Sequence, residues 1–142
     1  MLDRARRVLI AEDVPDDVKP LVRAFREEPA WEIAVVKDGE EALNFVLRRG
    51  AYTEAWRPDL FILNINMPKI DGLEVLQRVK SIDQLATIPI VMWTISQQFL
   101  DIERAYRLGA AAFVSKPLGD GMESCANAIR NFWEWAWFAD ME

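Results

Sequence analysis

Five short apolar runs punctuate the chain, and between them the apolar residues fall at helical spacing. A continuous apolar run of about four to eight residues suits a strand buried on both faces. Strands of that kind alternating with helices form a parallel sheet covered on each side. Val8-Leu9-Ile10-Ala11 is the first run and ends at once in Glu12-Asp13. Trp31 to Val36 is the second, Leu60-Phe61-Ile62-Leu63 the third and most apolar. Pro89 opens the fourth, Ile90-Val91-Met92-Trp93, and Ala111 to Ser115 is the fifth. The first helix carries Val18, Leu21, Val22 and Phe25, with Asp16 as its expected cap and Pro29 as its stop. Asp38-Gly39 turns into a second, with Ala42, Leu43, Val46 and Leu47 on one stripe closed by Gly50. Leu73, Leu76 and Val79 mark the third; Phe99, Ile102, Ala105, Tyr106 and Leu108 mark the fourth, stopped by Gly109. The fifth is expected from Met122 to Phe138. The pattern predicts one α/β domain over residues 1–142, a doubly wound five-stranded parallel sheet with five helices.

In an open sheet of this kind, ligands sit at the carboxyl ends of the strands. The first strand delivers Glu12-Asp13 to that edge, the third Asn64, the fourth Thr94 and the fifth Lys116-Pro117. Bare phosphate would need glycines and exposed N–H groups there, and carboxylates repel it. Acids at such an edge make sense when a hard divalent cation binds first. A carboxylate pair, a hydroxyl and a lysine together suit metal-assisted phosphoryl transfer, with the cations neutralising the equatorial oxygens. Asp16 and Asp17 read as solvated acids with helix-capping duty.

Composition removes several alternatives. A formal charge of -6 argues against nucleic acid as a ligand, since phosphate backbones call for clustered Lys and Arg. There is no histidine, which excludes imidazole from catalysis, metal ligation and phosphodonation. Cys125 is the single cysteine, expected to pack on the last helix, and points to a reducing compartment. No apolar run approaches a membrane span or a signal peptide core, so a cytoplasmic location is expected.

Glu12-Asp13, the segment Pro58-Asp59-Leu60-Phe61-Ile62-Leu63-Asn64-Ile65-Asn66-Met67-Pro68-Lys69-Ile70-Asp71-Gly72, Thr94 and Lys116-Pro117 resemble the signature of response-regulator receiver domains. The loop before Pro58, Asp83-Gln84-Leu85 before Ile88-Pro89, and Phe132-Trp133 are similar to stand-alone receivers associated with bacterial phytochromes. The resemblance implies a flavodoxin-like (CheY-like) fold with strand order 2-1-3-4-5. It implies Mg²⁺ held by Asp13, by Glu12 through water and by the Asn66 backbone carbonyl. Thr94 and Lys116 would pair with a phosphoryl group, and Phe113 would be the aromatic switch, without a hydroxyl. The Lys116-Pro117 bond is often cis in the family. The partner implied is a sensor histidine kinase, of phytochrome type by the narrower match, or a phosphotransfer protein.

The chain departs from the family at its phosphoacceptor, an aspartate where this sequence has Asn64. An amide nitrogen lone pair is delocalised into the carbonyl, which makes a very poor nucleophile. The change also removes one negative charge from the cation site, so Mg²⁺ should bind more weakly. The amide keeps the size and can donate to Asp13. Both a natural pseudo-receiver and an engineered Asp-to-Asn substitution are compatible with this. A stand-alone receiver of a two-component phosphorelay, blocked at Asn64, is therefore expected. Two alternatives stay open: a purely structural dimerisation module, and a metal-dependent phosphohydrolase, which lacks a nucleophile and a histidine.

The last helix is rich in tryptophan. Ile129, Phe132, Trp133 and Ala136 fall on one stripe, suited to the core, while Trp135 and Phe138 point away and Trp137 flanks them. Exposed aromatics mark protein interfaces. Glu134, Asp140 and Glu142 offer no basic face for anionic lipid. A homodimer is expected through this helix, at Trp133, Trp135, Trp137 and Phe138.

Overall fold

Strand β1, Arg7–Ala11, lies between β2, Glu32–Val36, and β3, Leu60–Leu63, and all three run parallel. β4, Ile90–Thr94, continues the sheet beyond β3, and β5, Ala112–Ser115, closes it, again in parallel. This order, β2-β1-β3-β4-β5, comes from a computed structural model describing residues 4–138. It is the expected one.

Side chains alternate across a strand, so each central strand feeds two cores. Leu9, Phe61, Leu63, Ile90 and Met92 face one way, against Ala42, Val46, Leu76, Val79 and Ala105. Val8, Ile10, Leu60, Ile62, Val91 and Trp93 face the other, against Leu21, Phe25, Ala126 and Ile129. The first group meets helices α2 (Gly39–Leu47), α3 (Gly72–Lys80) and α4 (Phe99–Arg107); the second meets α1 (Pro15–Arg26) and α5 (Met122–Glu134). Burial on both faces explains why these strands carry unbroken apolar runs. Cys125 packs half-buried against the second core.

Helix ends follow local chemistry. The Asp38 carboxylate accepts the Glu41 N–H at 2.8 Å and the Asp71 carboxylate accepts the Glu74 N–H at 2.9 Å, capping α2 and α3. Asp16 does not cap α1: the helix opens on Pro15 after Val14, because proline's fixed φ suits the first helical position. That leaves Asp16 and Asp17 inside the first turn, where carboxylates favour the helix dipole. α2 closes before Gly50, with Arg48 in the left-handed region at φ 55°.

The last helix departs most from expectation. α5 ends at Glu134, not Phe138. The chain then folds back, placing the Phe138 ring 5.9 Å from Trp31 and 6.0 Å from Trp133. The apolar gain of joining Trp31 outweighs continuing an amphipathic helix into solvent. Phe132, expected in the core, is 72% exposed, because the core-facing stripe runs through Ala126 and Ile129 to Trp133. The cis peptide bond among the described residues is Glu28–Pro29, and not Lys116–Pro117. Among the described residues no helix is long and apolar enough to cross a membrane.

Candidate functional site at the carboxyl edge of the sheet

Three strands bring their polar residues to one spot. β1 passes into Glu12, whose N–H donates to the Val36 carbonyl at 3.0 Å. β3 passes into Asn64, whose N–H donates to the Ala11 carbonyl at 3.1 Å. Beyond β5, the Lys116 N–H donates to the Thr94 carbonyl at 2.7 Å. Each residue is held by the ladder that precedes it, so its side chain leaves the sheet in a fixed direction. Gly72 lets the chain after Asn64 return closely: a Cβ there would stand 2.1 Å from the Asn64 carbonyl oxygen.

The side-chain contacts centre on Asn64, which is buried. Its amide nitrogen donates to Glu12 Oε1 at 3.1 Å, to the Asn66 carbonyl at 3.1 Å, and to Asp13 Oδ1 at 3.4 Å. The expected bond to Asp13 is therefore present, and it is the longest of the three. Glu12 is bound on both oxygens. Oε1 also accepts the Val14 N–H at 3.2 Å, and Oε2 meets Lys116 Nζ at 2.6 Å. Burial holds the Glu12 carboxyl above its ordinary range, and Lys116 offsets only part of that rise.

Lys116 is no surface cation. It is 3% exposed, and its Nζ reaches Asp17 Oδ2 at 2.8 Å as well as Glu12. The ammonium also lies 5.7 Å from the centroid of the Trp93 ring. Asp17 is not the solvated acid expected from its position: starting α1 at Pro15 turns it inward over the pocket. Its signal in the sequence was one more carboxylate close behind Glu12-Asp13, with no local feature to tell it from Asp16. Asp16 is exposed and pairs with Lys19 at 3.3 Å.

Not every expected residue joins this cluster. Thr94 is fully buried, and its hydroxyl accepts the Ser96 N–H at 3.5 Å, a long contact. Phe113 is half-buried against the α2–α4 core, and its N–H donates to the Tyr106 hydroxyl at 3.1 Å. Trp133 and Phe138 lie at the opposite end of the sheet, where they pack within the chain. Trp133 thus lies on the core-facing stripe as expected, while Phe138, expected to point away from it, packs against Trp31 instead. Trp135 and Trp137 remain 84% and 79% exposed.

Chemically, the pocket offers two carboxylates and a carbonyl converging on one amide, beside a buried ammonium. Among the described residues no group of three or more His, Cys, Asp or Glu side chains is placed to hold a metal ion. Of the oxygens that would ligate one, both of Glu12, Oδ1 of Asp13 and the Asn66 carbonyl are already met by N–H donors or by Lys116.

Comparison with known proteins agrees with this architecture. The response regulator receiver domain matches residues 8–126. Response regulator Rcp1 of Synechocystis is 29% identical over 128 residues, covering 89% of this chain and 87% of that protein. The phosphorylated cyanobacterial phytochrome response regulator RcpA superposes with a TM-score of 0.92 at 30% identity, over 96% of this chain and all of that one. The Mn²⁺-bound form of Rcp1 superposes with a TM-score of 0.91 at 28% identity, over 95% and 99% of the two chains.

Proposed function

The chain belongs to the response-regulator receiver family of two-component signalling, and from that premise we propose that it signals by binding a partner, without accepting phosphate at position 64. One observation carries this: the side chain at the phosphoacceptor position is an amide whose nitrogen faces Glu12, Asp13 and the Asn66 carbonyl. An amide does not attack phosphorus as a carboxylate does. The rest of the family's set is present, with Lys116 and Thr94 at the ends of their strands. The partner that this set suits is a sensor histidine kinase or a phosphotransfer protein. The likeness to Rcp1 and RcpA favours a kinase of phytochrome type. Mg²⁺ at Glu12, Asp13 and the Asn66 carbonyl should bind more weakly than at a site with one more carboxylate. A cytoplasmic site of action follows from that choice of partner.

The test is phosphotransfer from acetyl phosphate or a phosphorylated kinase to the chain and to its Asn64→Asp variant. We expect no stable phosphorylated species on the chain and labelling of the variant. Phosphate retained at any other residue of this pocket would defeat the proposal.

The aromatic end supports a second element, a homodimer. Phe132, Trp135 and Trp137 are 72%, 84% and 79% exposed, which is unusual for side chains of that size. Trp133 and Phe138 back them from within the chain. Sedimentation should show a dimer at micromolar concentration; a monomer there would remove this element.

A further inference from the structure

Glu12 Oε1, Asp13 Oδ1 and the Asn66 carbonyl converge on a single nitrogen, the amide of Asn64. A hard divalent cation needs oxygens at about 2.0–2.6 Å and no hydrogens between. Here two amide hydrogens are shared among three acceptors, each at ordinary hydrogen-bond distance or slightly beyond. The other oxygen of Glu12 is held by Lys116 at 2.6 Å. The acceptors therefore have donors already.

Chemistry fixes which way the amide points. Turned over, its carbonyl oxygen would face two carboxylates and a carbonyl with no hydrogen among them. That arrangement is repulsive unless a cation stands in the middle. The nitrogen-inward state and the cation-bound state are thus mutually exclusive settings of one side chain.

We propose that the Asn64 amide takes the place of the divalent cation, so that this pocket closes without one and holds its fold and its partner-binding shape independently of Mg²⁺ or Mn²⁺. This deepens the reading of position 64 as a blocked phosphoacceptor. It goes further, because a merely weakened site would still respond to enough cation.

Thermal unfolding of the full chain in EDTA, and in millimolar MgCl₂ or MnCl₂, tests this. The wild-type Tm should be the same in all three. Asn64→Asp should gain several degrees on adding either cation, because a ligand that binds only the folded state stabilises it by mass action. Asn64→Ala strips the donor from three acceptors. It should unfold at lower temperature in EDTA and recover part of that loss with cation. This second variant keeps the test decisive if Asn64→Asp does not fold. A wild-type Tm that climbs with either cation overturns the proposal, whether or not the rise matches that of Asn64→Asp. So does a failure of both variants to respond, since the amide would then not be what fills the cation's place. Phosphotransfer plays no part in these measurements, so their outcome and that of the labelling experiment are separable.

Discussion

At the carboxyl edge of the sheet Lys116 lies 3% exposed between Glu12 and Asp17, while at the amino edge Trp135 lies 84% exposed just past the end of α5. The first region consists of polar groups, with Glu12, Asn64 and Lys116 engaged by directional bonds at 2.6–3.1 Å to groups brought in by neighbouring elements. The second is a ring cluster. Trp31 meets Phe25 at 5.0 Å and Phe138 at 5.9 Å, Phe138 stacks on Trp133 at 6.0 Å, and the Arg6 guanidinium lies 5.6 Å from the Phe138 centroid. Arg6 also donates to the Glu134 carbonyl where α5 stops. Directional bonds to buried charges are intolerant: removing one partner strands the other in low dielectric. Ring contacts are broad and tolerant, and they leave some members free to face outward. The pocket is therefore suited to holding one conformation, and the aromatic end to offering a surface.

The hardest way to break the contrast is Lys116→Met. It leaves Glu12 buried without its cation and should cost about 3–5 kcal/mol, read as a lower urea midpoint. A cost below about 1 kcal/mol, the scale of an exposed pair, would mean that this bridge is no more than a surface contact. Phe138→Ala should cost about 1–2 kcal/mol, the scale of two aromatic pairs, because the ring is only half-buried. A loss as large as that of Lys116→Met would erase the distinction between the two ends. The smallest effect on stability belongs to the double variant Trp135→Ala, Trp137→Ala. It should stay within about 0.5 kcal/mol of the parent, since exposed side chains stabilise little. Its consequence should lie in sedimentation, where the dimer is lost.

The pocket was more legible from the sequence than the aromatic end, and the cause is geometric. Glu12, Asp13, Asn64, Thr94 and Lys116 each follow directly on an apolar run, so finding the strand finds the residue. Asp17 offered no such cue. Its role depends on α1 opening at Pro15, and its partner Lys116 lies 99 residues away. The family's pattern aims Lys116 at a phosphoryl group. In this chain the neutral Asn64 has no charge to offer it, and Nζ lies against Glu12 and Asp17. Helical periodicity carried α5 past its true end, because nothing local in Trp135-Ala136-Trp137-Phe138 stops a helix. The stop comes from Trp31, which lies just ahead of β2 and packs in the same core as α5, more than 100 residues earlier in the chain.

By itself the amino-acid sequence determined the five strands, their helices, the strand order through family resemblance, and the amide at position 64. Strand order aside, those properties are local: an apolar period, a cap or a single side chain states them wherever the rest of the chain goes. Tertiary structure alone decided which way the Asn64 amide points, that Lys116 bridges Glu12 and Asp17, and that Phe138 returns to Trp31. Each of these depends on groups far apart in the chain competing for the same partner. Burial settles that competition, because an unmatched polar group or an uncovered ring costs most where water is excluded.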